Sequence, residues 1–460
     1  MFEDDPSQFL AAHQFKNDPR LAVAKKMIIE TLKEHQGKLT AIRPPQKELI
    51  QKYHEVLEAF NQARGGKLYF PYLGSGFGNG SLVELLDGSV KYDMISGIGP
   101  HYWGHSDPDL TGILFDSILN DTIMQGHLQQ NIETFHYAKL LIESSGLDHC
   151  FFSSSGAMAN ENALKIIFQK KYPAQRLLAF DKCFIGRTLS LSQITDKPAY
   201  RENLPHTLFV DHIPYYDEMH PEESTKHALH ILDTHLKRHP KQHAAMCLEL
   251  VQGEAGFRTG TREFFQAIMK VLKEHEIAIF VDEVQTFGRT PDLFAFQYYQ
   301  LDEYIDVVSI GKLSQVCATL FKEEYKPKPG LLSQTFTSST TALYAGLYIV
   351  RQLLKDHYFG PNGKIETVHQ EFAHHFERLE RLFPDRIKGP YGLGAMIAFT
   401  PLNGSLESTG KFVQDLFQAG VISFVAGTHP TRVRFLVPIG AITSADIENV
   451  MKIVEEVLSL

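Results

Sequence analysis

The sequence predicts an α/β fold: a mostly parallel sheet in a large domain, followed by a smaller α+β C-terminal domain. Two patterns carry this. Between about residue 145 and residue 322, continuous apolar runs alternate with amphipathic helical stretches, the signature of a sheet covered by helices on both faces. After about residue 342 the chain turns to long amphipathic helices with brief β-type runs. A third observation points to a site. "IAIFVDEV" runs apolar into Asp282 and Glu283. Buried carboxylates are costly unless something pairs with them, and ligands of open α/β sheets sit at the carboxyl ends of the strands.

In chain order, residues 1–65 alternate polar and apolar positions at helical spacing, with Leu21, Ala24 and Ile28 on one face, so a helical N-terminal segment is expected. Short β-type runs follow, with "LDGSV" as a hairpin signal. "GSGFGNG" at 74–80 misses the GxGxxG spacing, with Asn79 or Ser81 at the last position, and is expected to be a flexible turn. The central strands are expected at "CFFSSSG", "RLLAFDKCF", "HTLFVDH", "AAMCLELV", "IAIFVDEV" and "DVVSIGK". Between them, Ala159, Ala163, Ile166 and Ile167 form one helical face, and Phe264, Ile268, Met269 and Leu272 another. "TALYAGLYIVRQLLKDHYF" and "VHQEFAHHFERLERLF" are amphipathic helices; "GAMIAFT" and "RVRFLVP" are strands. The last helix starts at a capping box of Thr443 and Asp446. The expected division is 1–65 helical segment, 66–341 large domain and 342–460 small domain.

Composition narrows the function. The chain has 460 residues, 43% hydrophobic, with a net charge of −9. An acidic balance argues against nucleic acid or an anionic membrane as partner. No apolar run approaches the ~20 residues a membrane-spanning helix needs, and "MFEDDPSQFL" lacks the apolar core of a secretory signal. Cys150, Cys183, Cys247 and Cys317 form no CxxC pair. They read as buried thiols of a reducing, cytoplasmic compartment. The 22 histidines include no HExxH, so no metal is expected.

Three chemistries place an acid at such a strand end. A nucleotide-hydrolysing site needs GxxxxGK followed by Ser or Thr; Gly-Lys occurs at 37, 66, 311, 363 and 410, always followed by Leu, Ile or Phe. A dinucleotide site fails at 74–80. The third is a carboxylate that keeps a pyridine nitrogen protonated, as pyridoxal phosphate requires. That cofactor also needs a lysine, a phosphate cup and a stacking ring. Lys312 ends the apolar run "DVVSIGK", where it either snorkels or is used chemically. In "FFSSSGAMANENALK" a strand runs into Ser155, Gly156 and Ala157 and a helix begins, an arrangement whose backbone N–H groups bind anions. Phe184 ends another apolar run and precedes Gly186; it either stacks on the cofactor or belongs to the core.

Together these segments resemble the class III (subgroup II) aminotransferases of pyridoxal-phosphate fold type I. "YWGHSDPDL", "SSSGAMANENALK", "CFIGRTLSLS", "LELVQGEAGF", "FVDEVQTFGRT", "DVVSIGK", "SQTF" and "VRFLVP" match the family's motifs in order, over roughly residues 68–445. The resemblance implies that Lys312 is the Schiff-base lysine and Asp282 the partner of the pyridinium nitrogen. Gln285 would bond the ring oxygen, Ser155, Gly156 and Ala157 would cup the phosphate, and Phe184 would stack on the ring. Glu249 would support the cofactor face. Thr335 would reach the phosphate of a neighbouring subunit in a homodimer. Arg187 and Arg434 would hold substrate carboxylates, with Glu254 able to mask Arg434. Glu283 is expected in a structural ion pair.

The segment after Lys312, "LSQVCATL", is similar to the lysine 6-aminotransferase and ornithine-type branches. Four positions depart from the family pattern: Ala157, Ile185, Leu250 and "TSST" after the phosphate threonine. The implied activity moves a terminal amine of lysine, ornithine, acetylornithine or 4-aminobutyrate to a 2-oxo acid, 2-oxoglutarate foremost. A racemase or aminomutase on the same scaffold, and a non-catalytic binding protein of the fold, remain as alternatives.

Overall fold

Seven strands make the central sheet of the computed structural model, in the spatial order His149–Ser153, Cys317–Phe321, Val307–Ile310, Ala278–Glu283, His243–Leu248, Arg176–Phe180 and Phe209–Ile213. The structure describes residues 9–460 except Asp356, so the reading of the first eight residues lies outside it. The expected strands are all present. The five strands Val307–Ile310, Ala278–Glu283, His243–Leu248, Arg176–Phe180 and Phe209–Ile213 run parallel to one another, and the Ala278–Glu283 strand is buried at every position, as a sheet covered on both faces requires. The covering helices are those expected. Gly156–Lys171 buries Ala159, Ala163, Ile166 and Ile167, and Arg262–Glu274 buries Phe264, Ile268, Met269 and Leu272.

The Cys317–Phe321 strand was not anticipated. It runs antiparallel to both neighbours, Val307–Ile310 and His149–Ser153. The link 311–316 is too short for a parallel crossover, which takes about a dozen residues, so the chain must turn straight back. That reversal places Lys312 at a tight bend on the carboxyl edge of the sheet.

"GSGFGNG" is a strand and not a flexible turn. Gly74–Asn79 pairs antiparallel with Leu82–Leu85, with an irregular register between Gly74 and Gly78. A Cβ on Gly78 would lie 2.4 Å from His105 Cβ and 2.5 Å from the Leu82 carbonyl oxygen. Glycine here serves close packing. "LDGSV" does form a hairpin, between Leu82–Leu85 and Val90–Asp93. Val90–Asp93 also pairs in parallel with Val421–Ile422, which ties this hairpin to the far end of the chain.

In the C-terminal region, Ile387–Leu393, Met396–Pro401, Arg432–Leu436 and Phe424–Ala426 form a four-stranded antiparallel sheet. The helices Lys364–Leu382 and Ser444–Ser459 each bury an apolar face. Thr443 and Asp446 make the capping box. The N-terminal helices are Ala11–Lys16, Pro19–Gln36 and Lys47–Arg64. Of their expected apolar face, Leu21 and Ala24 are half-buried and Ile28 is exposed. Among the described residues no helix is long and apolar enough to cross a membrane.

Candidate active site

A cavity of about 420 Å³ opens at the carboxyl edge of the sheet, lined by Gly156, Ala157, Phe184, Asp282, Gln285 and Lys312 among others. The strands deliver these side chains. Asp282 is the penultimate residue of the Ala278–Glu283 strand, level with Ser309 of its neighbour. Its Oδ1 accepts from the Val284 N–H at 2.8 Å and its Oδ2 from Asn160 Nδ2 at 2.7 Å. Burial pushes the Asp282 carboxyl up, while those donors and the Lys312 ammonium pull the other way.

Lys312 follows Gly311 past the end of the Val307–Ile310 strand and holds a left-handed backbone, φ 55°. For a non-glycine residue that conformation costs on the order of 1–3 kcal/mol and collects at sites of chemistry. Burial lowers its amine to about 8, with Asp282 opposing and the Arg434 and Arg289 guanidiniums assisting. At neutral pH a tenth or so of such amines is uncharged, far more than of an exposed lysine.

The helix Gly156–Lys171 starts against this edge. Ser155 is its N-cap, accepting from the Met158 N–H at 3.2 Å. A Cβ on Gly156 would lie 2.8 Å from Val284 Cγ1, so glycine lets the helix N-terminus reach the cavity. Phe184 lies in the loop four residues past the Arg176–Phe180 strand rather than at its end, a correction that follows from the turn Asp181–Lys182. Its N–H donates to Glu249 Oε2 at 2.7 Å. Glu249 also accepts from the Gly253 N–H at 3.1 Å. Burial raises it to about 8, and Asp282 adds to the rise.

Glu283 makes no ion pair among the described residues, contrary to expectation. It is fully buried and accepts from the Thr286 hydroxyl at 2.7 Å and the N–H groups of Ala295 and Phe296 at 2.9 and 3.0 Å. Burial raises it to about 7. Backbone donors of a helix start do the work a cation was expected to do.

Arg434 is 1% exposed and pairs with Glu254 at 2.7 Å, the masking contact expected. Burial would raise Glu254, but Arg434 outweighs it and holds the carboxyl below its ordinary value. Arg187 is exposed at the cavity rim, stacked over Tyr200 at 4.2 Å. Thr335 stands apart from these groups in the single chain. It is exposed, with its carbonyl packed on Gly126.

Asn160 escaped the sequence reading. It is 2% exposed and its Nδ2 bridges Asp282 and the Ile185 carbonyl oxygen, at 2.7 and 2.6 Å. The signal was there: a polar residue on the buried face of Ala159 and Ala163. Arg289, fully buried beside Gly99 and Lys312, was also missed.

The residues fit a phosphorylated, cationic nitrogen ring. A buried carboxylate without an ion-pair partner among the described residues, two orphaned buried acceptors, Gln285 Oε1 and Asn160 Oδ1, a lysine and a helix N-terminus converge on one cavity. Hydrogen-bonding groups left open at such burial call for a polar ligand.

Residues 75–458 match the model of the family described as Aminotransferase class-III. The acetylornithine aminotransferase of Methanocaldococcus jannaschii is 28% identical over 383 residues, covering 79% of this chain and 87% of that protein. A lysine aminotransferase from M. tuberculosis, solved in the internal aldimine form, aligns with a TM-score of 0.77 at 23% identity, over 88% of this chain and 99% of that one. The ornithine aminotransferase of Toxoplasma gondii ME49 aligns with a TM-score of 0.77 at 21% identity, over 88% of this chain and 94% of that one. The likeness to these two structures is one of fold.

Proposed function

This chain belongs to the class-III aminotransferases, pyridoxal-phosphate enzymes of fold type I, and from that premise we propose that it moves the terminal amine of an ω-amino acid to a 2-oxo acid. The observation that carries this is the convergence of Lys312, Asp282 and Gln285 in one cavity with Arg187 at its rim and Arg434 behind Glu254. The donor is lysine, ornithine, acetylornithine or 4-aminobutyrate, and the acceptor 2-oxoglutarate. The names of the relatives support transfer over isomerisation.

In this reading Ser155, Gly156 and Ala157 hold the cofactor's phosphate by backbone N–H groups, and Phe184 covers the ring. Gln285 faces its ring oxygen. When bound, pyridoxal phosphate supplies an electron sink for the bond broken at the substrate's amine-bearing carbon and carries the amino group between donor and acceptor. Asp282, anchored by Val284 N–H and Asn160, keeps a positive charge on the ring nitrogen. Lys312 would be the residue that holds the cofactor and moves a proton at its Nζ, for which an amine near 8 is suited. Glu249 stays protonated at neutral pH and so adds no second negative charge beside Asp282. Arg434 takes the near carboxylate of the 2-oxo acid once Glu254 yields it, and Arg187 takes the far carboxylate of the donor.

Residues 66–341 act as the cofactor-holding domain and 342–460 as the smaller domain that brings Arg434. Thr335 reaches the phosphate of a second copy in a homodimer, working in the cytoplasm. Single-turnover kinetics test the assignment. Arg434→Ala slows the 2-oxo-acid half-reaction more, and Arg187→Ala the amine-donor half. Equal losses in both halves, with lower thermal stability, would make the arginines structural and remove the ω-amine reading.

A further inference from the structure

We propose that Lys197 and Tyr200 complete, with Arg187, a subsite that selects amine donors whose remote end carries a carboxylate and no free ammonium. This rests on the ω-aminotransferase reading above and names its donor class.

The Tyr200 hydroxyl oxygen accepts from Arg187 Nη2 and from Lys197 Nζ, each at 3.1 Å. The same ring carries the Arg187 guanidinium at 4.2 Å and the Lys197 ammonium at 4.7 Å from its centroid. Two positive groups therefore lie within roughly 6 Å of each other, a separation at which like charges repel. Neither makes an ion pair with a carboxylate among the described residues. The acids nearby are otherwise engaged. Glu254 is paired with Arg434 at 2.7 Å and feels the Lys197 charge without an ion-pair contact to it, Asp196 accepts from the Lys182 N–H at 2.8 Å, and Glu161 accepts from the Thr188 hydroxyl. The Tyr200 oxygen is committed to two donors, and its own hydrogen has no acceptor among the described residues. Three donors thus converge with no carboxylate in ion-pair contact with Arg187 or Lys197 among the described residues.

The place of this cluster links it to the reaction. Tyr200 meets Phe184 edge-on at 6.3 Å. Arg187 lines the cavity that holds Lys312, and Lys197 lines an adjoining cavity of about 230 Å³ that shares Phe184 and Glu254 with it. A donor with its amine at Lys312 extends its far end toward these cations. The far end of a free α,ω-diamino acid is a carboxylate beside an ammonium, with no net charge. An N-acylated diamino acid, or a simple ω-amino carboxylate, ends in one net negative charge. Two fixed cations favour the second kind and repel the ammonium of the first, so specificity comes from a repulsive element as well as an attractive one.

The test uses the holoenzyme and four donors of one chain length: ornithine, its N2-acetyl derivative, 5-aminopentanoate and 1-aminopentane. In the amine half-reaction, kcat/KM for the acetyl derivative and for 5-aminopentanoate exceeds that for ornithine at least ~10-fold, and 1-aminopentane is the poorest. Lys197→Met keeps the apolar stem and removes the charge. It narrows the gap to ornithine at least ~3-fold. Tyr200→Phe keeps the ring and slows every carboxylate donor by a common factor. A readout apart from turnover is the titration of pentanoate against the cofactor's absorbance, whose dissociation constant rises in Lys197→Met. An unchanged donor ratio in Lys197→Met, with wild-type absorbance and thermal stability, overturns the inference and leaves the enzyme assignment standing. Ornithine reacting as well as its acetyl derivative in the wild type overturns it without any variant. Failure of all four donors, and of lysine and 4-aminobutyrate assayed beside them, overturns the ω-amine reading itself.

Discussion

Glu249 keeps its proton at a pH where an exposed glutamate has lost it, and this has a consequence for stability. Its native value is about 8 against an ordinary 4.5. Between those two values the folded chain holds a proton that the unfolded chain has released. Stability from this group is therefore full below pH 4.5 and is lost as pH rises toward 8. Glu249→Gln, neutral throughout, flattens that decline by on the order of 2–4 kcal/mol, as read by urea unfolding of the cofactor-free protein at pH 5 and pH 8. Equal slopes in both proteins would mean that Glu249 ionises normally. Residue identities of this kind were partly legible. Lys312 and Asp282 could be picked out because a charge ending an apolar run is conspicuous. Asn160 could not, because an amide on a helix face signals nothing until the fold sets Asp282 against it. Glu283 was misread for the same reason. Its partners are backbone N–H groups, which every sequence has.

The helix start at Gly156 is the element that joins fold to site. Its Cβ-less backbone packs on Val284, the residue that follows the acid pair. Gly156→Ala pushes the helix N-terminus away from the cavity. We expect it to weaken cofactor binding at least ~10-fold, and to cost about 1–3 kcal/mol of stability as overpacking does. Equilibrium dialysis against pyridoxal phosphate and a denaturation curve measure the two effects. Retained affinity would show that Gly156 serves packing alone. Among elements, the parallel strands and their helices were legible because burial on both faces leaves an apolar run with few alternatives. Cys317–Phe321 and Gly74–Asn79 were not. The first follows directly on the lysine motif, with no helical stretch before it to mark a new strand, and the second carries glycines, of which Gly78 serves close approach to His105.

At the scale of the whole molecule, Thr335 is exposed and outside the cavity of its own chain. A neighbouring copy that supplies Thr335 makes each site depend on two chains. Mixed, co-refolded Lys312→Ala and Thr335→Ala proteins then recover activity. In a mixed dimer one site carries both lesions and the other carries neither. With random pairing of a two-fold dimer, recovery approaches about a quarter of the wild-type rate. No gain over the sum of the two parents would place Thr335 outside the partner's site. The pairing of Val90–Asp93 with Val421–Ile422 belongs to this scale as well. It joins strands more than three hundred residues apart, and periodicity along the chain carries no such information.

The sequence by itself determined the sheet of parallel strands, the helices that cover it, the family, and the charged groups at the strand ends. Each of these depends on local pattern, where burial and spacing are written in consecutive residues. The tertiary structure decided which charges are answered and by what. It set Asn160 on Asp282, backbone N–H groups on Glu283, Glu254 on Arg434, and two cations on the one oxygen of Tyr200. Those pairings arise from elements brought together across the fold. Hydrogen bonds and Coulomb forces act over a few ångströms of space, whatever the distance along the chain.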